Sequence, residues 1–378
     1  LLKQGRGLIR ITTIRKFRFP EVILKEPIIS SDVASQDCLL KPTSPAERIQ
    51  VIDSLRGFAI LGILMVNTLY FSMPIFSMMT EGEHFPGTGN AIATWAIRFF
   101  SESKFYSLFS LLFGLGAGIL YSRALAKERK FAPFFGRRLL VLLFIGLFHA
   151  ILLWSGDILV VYAVLGFLLL LFEKAKPRTM LIWFFIFAAI PLLINALSTD
   201  AIVLWKISPG GAAAAAQTFG KQTEAFKKLV DAAIAAYSGT DWFTMIKMRL
   251  YELAFMYRAI LFYGWSVLSM FVLGLWFWRT ERFQKLEMNY KFFRNLMWVG
   301  LILGLAGNLV YAGLRGEINP AVPSPKGLVA AVGITIGAPA LCLFYLSLIT
   351  RLSTEKWGWK LIKPLSAVGR TALSNYLL

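Results

Sequence analysis

Apolar runs of about 20 residues recur along this chain, and a run of that length leaves a polypeptide little choice of fold. In hydrocarbon every backbone N–H and C=O must be satisfied within the segment, so each run becomes a helix. By that measure spans are expected at about 56–74, 92–121, 139–154, 158–172, 180–197, 259–278, 293–314 and 327–350, with a ninth beginning near 365. The expected fold class is all-α, a polytopic transmembrane helical bundle of about eight to ten spans. Hydrophobic residues at 57%, charged residues at 16% and a mean hydropathy of +0.63 exclude an ordinary soluble domain. The second run is too long for a simple crossing and contains Glu102 and Lys104. It reads either as a short interfacial helix followed by a span from about Phe105, or as one tilted helix.

A formal charge of +19 on a soluble protein would suggest nucleic acid. Here the basic residues cluster at the ends of apolar runs, where the positive-inside rule puts them, and no nucleic-acid partner is expected. The connections at 122–138, 173–178, 279–285 and 351–360 are basic, whereas 71–90 and 155–157 contain no Lys or Arg. This alternation places the N-terminus and the basic loops in the cytoplasm. Residues 1–47 read as a basic cytoplasmic tail able to lie on anionic lipid, or as an over-extended gene start. The connection at about 198–257 then becomes an extracytoplasmic insertion in the helical domain 48–378. Its Ala-rich piece has the spacing of an amphipathic helix lying on the outer surface or capping a cavity. The last residues, LSAVGRTALSNYLL, open an apolar segment, so further helices are expected beyond Leu378. Cys38 and Cys342 offer neither metal-ligand spacing nor a disulfide framework.

Polar groups at membrane depth are costly, so those present are candidates for function. The segment Arg48–Asn67, RIQVIDSLRGFAILGILMVN, sets Asp53 and Arg56 at the mouth of an apolar run and Asn67 inside it. Arg56 and Asn67 are 11 residues apart, as are Arg138 and His149, so Asn67 and His149 stand about 16 Å above their arginines, at similar depth. Two such side chains on different helices could line one chamber, with His149 as a general base or simply a structural histidine. Asp157 either N-caps the helix that follows it or, if the hairpin folds inward, pairs with His149. Glu102 and Lys104 should face the same outer side and neutralise each other, and His84 in the outer loop is a second base candidate. Arg56, Arg123, Arg137 and Arg138 gather at the cytoplasmic end; topology alone explains each, and as a group they could hold phosphates. Gly114, Gly116 and Gly118 form a small-residue face for helix packing rather than a dinucleotide loop, since no strand precedes them.

Together RIQVIDSLRGFAILGILMVN, FYSLFSLLFGLGAGIL, RRLLVLLFIGLFHAILLWSGDILVVYAVLG, GWSVLSMFVLGLWF and GRTALSNYLL, in order over roughly 48–378, resemble the YeiB-like bacterial membrane proteins of the domain-of-unknown-function 418 family. That family looks related to transmembrane acyltransferases of the heparan-α-glucosaminide N-acetyltransferase and acyltransferase-3 type. These share an Asp-x-x-Arg-Gly opening, here Asp53, Arg56 and Gly57 as a structural motif. The resemblance implies a transmembrane-acyltransferase-like core in the bacterial inner membrane. It would move an acyl group from cytosolic acyl-CoA to an extracytoplasmic acceptor such as a glycan or lipid-linked sugar. The position of Asn67 is a catalytic His in the acyltransferase-3 proteins and an Asn in the heparan type. His149 and the Gly156-Asp157-Ile158-Leu159 run match the YeiB-like pattern. His84 lies in the region of the heparan-type His, but its spacing differs and YeiB-like proteins do not usually rely on one there.

On this resemblance Arg56, Arg137 and Arg138 would meet the acyl-CoA phosphates. His149 would deprotonate the acceptor or briefly carry the acyl group, Asn67 would hold the thioester oxygen, and Asp157 would orient or bind the acceptor. Glu102, Lys104 and His84 would be substrate contacts, with no metal required. Membrane lipid is an expected partner, and homo-oligomers stay open. Two other readings stay open: a transporter or permease for a small solute or lipid that uses the same chamber for binding, and a non-catalytic membrane partner protein with the 198–257 segment as its contact surface.

Overall fold

The structure, a computed structural model, describes residues 49–80 and 86–377. Described residues form helices α1 (Gln50–Phe71), α2 (Thr88–Phe100), α3 (Lys104–Ala126), α4 (Phe131–Leu152), α5 (Leu159–Leu169), α6 (Pro177–Ile207), α7 (Gly211–Ser238), α8 (Trp242–Arg279), α9 (Tyr290–Leu314), α10 (Pro325–Leu352), α11 (Lys356–Arg370) and α12 (Ala372–Leu377), with a 3-10 turn at Ile75–Met79. Seven stretches are long and apolar enough to cross a bilayer, α2 and α3 counting together, and Leu159–Phe172 is a shorter apolar helix. Each of the eight runs expected up to residue 350 therefore has its helix, in a polytopic all-helical bundle. The basic tail 1–47 and His84 lie outside the described residues.

Three boundaries follow from the local physics. First, the second run is broken at 101–103, where Ser103 takes a left-handed backbone (φ 68°), so a short helix α2 precedes a span α3 that begins at Lys104, the first of the two forms expected for it. Second, α6 and α8 run for 31 and 38 residues, about 46 and 57 Å, well beyond a hydrocarbon core of about 30 Å. Most of the segment 198–257 is thus the end of α6, the Ala-rich α7 and the start of α8. Asp241 caps α8, accepting the Phe243 and Thr244 amides at 3.2 and 3.1 Å. Third, the final segment is helical from Lys356, earlier than 365, and is interrupted at Thr371.

Packing in a bilayer relies on close backbone approach more than on water expulsion, and glycine makes that approach possible. Helices α3 and α8 cross where Gly114 faces the Phe271 carbonyl and Gly274 faces the Leu111 carbonyl. Around this crossing Leu55, Ala59, Leu108, Leu111, Leu115, Met270, Phe277 and Leu346 are buried in one cluster. Gly118 lies under Trp278, while Gly116 faces the Arg56 guanidinium, so the small-residue face of α3 is a packing surface. Helix α11 lies along α1, with Gly57 against the Leu365 carbonyl and Gly369 against the Asp53 carbonyl.

One end of the bundle is basic. There the Arg279 guanidinium lies 4.2 Å from the centre of the Tyr121 ring and donates to the Glu173 carbonyl, tying the ends of α3, α5 and α8 together. At the same end Arg351 donates to the Tyr290 hydroxyl at 2.6 Å, joining α10 to α9.

Candidate functional site

Toward the far ends of α1 and α4 lies a cavity of about 620 Å³, lined by Asn67, Tyr70, Phe71, His149, Trp154, Tyr237, Arg249, Glu252 and Tyr376 among others. Asn67 and His149 thus line one chamber. Continuous helices carry both residues, each 11 positions beyond its arginine, Arg56 on α1 and Arg138 on α4.

His149 is 5% exposed, and its Nδ1 stands 3.0 Å from Asp157 Oδ1. The second oxygen of Asp157 accepts the Val160 amide at 2.9 Å in the first turn of α5. The carboxylate therefore both pairs with the imidazole and caps the helix, one oxygen for each task. An ionised carboxylate only accepts, so Nδ1 donates to it, and in the neutral ring Nε2 is then the nitrogen with the lone pair. That is the tautomer a general base needs. Tyr376 completes the surround: its ring centre is 5.5 Å from that of His149, and its hydroxyl accepts the Ile158 amide at 3.1 Å.

Opposite the pair stands a carboxylate that sequence reasoning missed. Glu252 on α8 is 1% exposed and accepts three hydrogen bonds: the Ile75 amide at 3.0 Å, the Ser155 hydroxyl at 2.6 Å and the Tyr237 hydroxyl at 2.6 Å. Those donors replace the hydration that a buried charge loses. Burial, with the Glu252 carboxylate beside it, holds the Tyr237 phenol above the ordinary tyrosine range. One turn earlier Arg249 donates to the Ile151 carbonyl at 3.3 Å and to the Leu152 carbonyl, satisfying groups that the end of α4 leaves open. The signal for both was an Arg and a Glu three residues apart in the oily stretch MRLYELAFMYRAILFY, obscured by treating 198–257 as a connection.

The last turn of α7, through Ile234, Tyr237 and Ser238, forms one wall of the cavity. It is held by Phe255 of α8, whose ring centre is 5.8 Å from Phe226 of α7 and 5.5 Å from Phe76 of the 3-10 turn.

Other candidates sit elsewhere. Arg56 pairs with Asp53 at 3.1 Å, while Arg137 and Arg138 are exposed on α4; none of these arginines lines the cavity. Glu102 and Lys104 do not pair as expected. The Glu102 carboxylate accepts the Tyr311 hydroxyl at 2.9 Å, and Lys104, fully buried, donates to the Arg98 carbonyl at 2.7 Å. Neither lines the cavity. Among the described residues no group of three or more His, Cys, Asp and Glu could hold a metal.

The family described as "Protein of unknown function (DUF418)" matches residues 277–378, from the end of α8 through α12. The chain is 32% identical to "Uncharacterized protein YxaH" of Bacillus subtilis (strain 168) over 357 residues, 90% of this chain and 81% of that protein. It is 26% identical to "Uncharacterized protein YeiB" of Escherichia coli (strain K12) over 340 residues, 88% and 81% of the two chains. It is also 36% identical to a 39.9 kDa protein of Bacillus acidopullulyticus encoded in the amylase 3′ region, over 171 residues, 42% of this chain and 47% of that one. No solved structure matches the chain. The likeness to YxaH runs through nearly the whole helical domain, and the chain belongs to the DUF418 family of YeiB-like multi-pass membrane proteins.

Proposed function

We propose that this protein is an acyl-CoA-dependent acyltransferase of the bacterial cytoplasmic membrane, with its N-terminus and basic loops in the cytoplasm. The observation that carries the reading is the His149–Asp157 pair at 3.0 Å, lining a cavity shared with Asn67. A buried imidazole whose Nδ1 is fixed by a carboxylate presents Nε2 as a base, the arrangement that activates a hydroxyl or amine.

In the proposed reaction the acceptor gives its proton to His149 Nε2 and attacks the thioester carbonyl. The Asn67 amide donates to the developing oxyanion, which lowers the barrier at the step where charge builds. Collapse of the intermediate expels the CoA thiolate, and the imidazolium returns the proton to it. The products are an acylated acceptor and CoA thiol. The acceptor, such as a glycan or lipid-linked sugar, occupies the cavity.

The donor's phosphates meet the basic end of the same helices, where Arg137 and Arg138 are exposed and Arg56 is shared with Asp53. An acyl-CoA bound there extends along α1 and α4 toward Asn67 and His149, about 16 Å farther on. Glu102 and Lys104, bound to Tyr311 and to the Arg98 carbonyl, stand off the cavity and take no part in holding the substrate.

The test is calorimetry of acetyl-CoA and longer acyl-CoAs with the detergent-solubilised protein, followed by transfer of a labelled acyl group to membrane glycans. Saturable micromolar binding is expected, lost in Arg137→Ala/Arg138→Ala and retained in His149→Ala, with transfer lost in His149→Ala. Folded protein that binds no acyl-CoA overturns the proposal and favours transport.

A further inference from the structure

The distance between His149 and Asp157 is set by a turn of irregular chain, not by a helix. Both ends of that turn are held from one neighbouring element. Just after His149, the Ile151 and Leu152 carbonyls accept from Arg249. Just before Asp157, the Ser155 hydroxyl donates to Glu252 at 2.6 Å. Arg249 and Glu252 are three residues apart on α8 and therefore share a face.

We infer that Arg249 and Glu252 form a clamp on α8 that positions the reacting pair, with Glu252 acting through Ser155 on Asp157 and Arg249 acting through the end of α4 on His149. They are positioning residues, since neither touches His149 or Asp157 in any hydrogen bond of the site. The inference deepens the reading of His149–Asp157 as the reacting pair and rests on it.

Three features separate this clamp from ordinary helix contacts. Glu252 is 1% exposed, yet its partners come from three different elements: the turn after α1, the α4–α5 turn and α7. A buried carboxylate is expensive, and a hydrophobic residue would fill the same space without joining those elements. The Arg249 guanidinium reaches the carbonyls that a helix end leaves open, so it fixes the direction in which α4 delivers His149. Finally, Tyr237 brings α7 to the same Glu252 oxygen as Ser155, so the wall of the cavity and the geometry of the pair are held by one group.

The readout is the tautomer of His149 in full-length protein labelled with ¹⁵N-histidine. The chain has two histidines, so a His84→Asn variant assigns the signal. In the native protein the Nδ1–H form, the opposite of the form a free imidazole favours, is expected to exceed the other by about tenfold or more, as a charge-assisted hydrogen bond implies. Glu252→Ala and Ser155→Ala should each collapse that excess toward a mixture. Glu252→Gln, which can still bond both hydroxyls, should restore most of it.

Size-exclusion profile and helix content identify variants that remain folded. If Glu252→Ala does not fold, Ser155→Ala decides, since it removes only the link to the turn. A native tautomer ratio in folded Ser155→Ala overturns the clamp. No acyl-CoA is present in this measurement, so failure of the acyltransferase reading and failure of the clamp give separate results.

Discussion

Asp157 shows how much one side chain can carry when its two oxygens are given different partners. Oδ1 fixes the imidazole of His149 and Oδ2 caps α5 through the Val160 amide. Asparagine can keep one acceptor for the cap but cannot take the Nδ1 proton while its amide faces the ring. Asp157→Asn is therefore expected to leave thermal stability in detergent within about 1 kcal/mol of native while abolishing acyl transfer. Asp157→Ala loses both contacts and should cost about 2 kcal/mol as well as activity. Equal loss of stability in the two variants would remove the division of labour. The sequence shows Asp157 as either cap or partner and contains nothing to choose between them, because the choice depends on whether the hairpin folds inward. Lys104 illustrates the opposite failure. Residues two apart do not face each other on a helix, and with Ser103 in a left-handed conformation Glu102 is directed to Tyr311 while Lys104 is directed to the Arg98 carbonyl.

At the level of elements, the final helical segment reaches the site because α11 lies tightly along α1. Gly57 and Gly369 meet so closely that a Cβ on the first would lie 3.0 Å from the amide nitrogen of the second. Tyr376, seven residues beyond Gly369, then reaches the Ile158 amide beside the dyad. A β-branched side chain at Gly57 would strike the Leu365 backbone, which cannot yield as a flexible side chain would. Gly57→Val should thus cost about 1–3 kcal/mol in thermal unfolding and displace Tyr376 from His149, whereas Gly89→Ala, with open space around it, should stay within about 0.5 kcal/mol. The Asp-x-x-Arg-Gly opening thereby acquires a structural meaning: the Gly admits α11, and the Asp and Arg pair with each other at 3.1 Å. Hydropathy located the membrane helices because lipid demands apolar length, but it gave no sign that α8 continues 17 residues before its expected start at 259. That first stretch carries Lys247, Arg249, Glu252 and Arg258, charges that lower its hydropathy, and Arg249 and Glu252 are engaged by other elements.

For the molecule as a whole, the useful asymmetry is between its two ends. One holds Arg279, Arg351 and the arginines of α4; the other holds the cavity under α7. The acyl transfer across a bilayer proposed for this protein requires such a polarity, with cations toward the donor's phosphates and the base toward the acceptor. The positive-inside rule assigns the basic end to the cytoplasm, but α7 carries lysines of its own, and long connections follow the rule weakly. The orientation is therefore testable independently of any activity. Single cysteines at Lys127, Lys174 and Lys285 on the basic end, and at Lys221 and Lys228 on α7, would be introduced after Cys38→Ser; Cys342 is fully buried and can remain. With a membrane-impermeant maleimide on intact spheroplasts, only the α7 positions should react, and the other three should react after lysis. Labelling of the basic end in intact cells would invert the bundle and place the His149 cavity on the cytoplasmic side. An acyl group could then be transferred without crossing the bilayer, so the reacting pair would keep its chemistry while the need for transmembrane donor transfer disappeared.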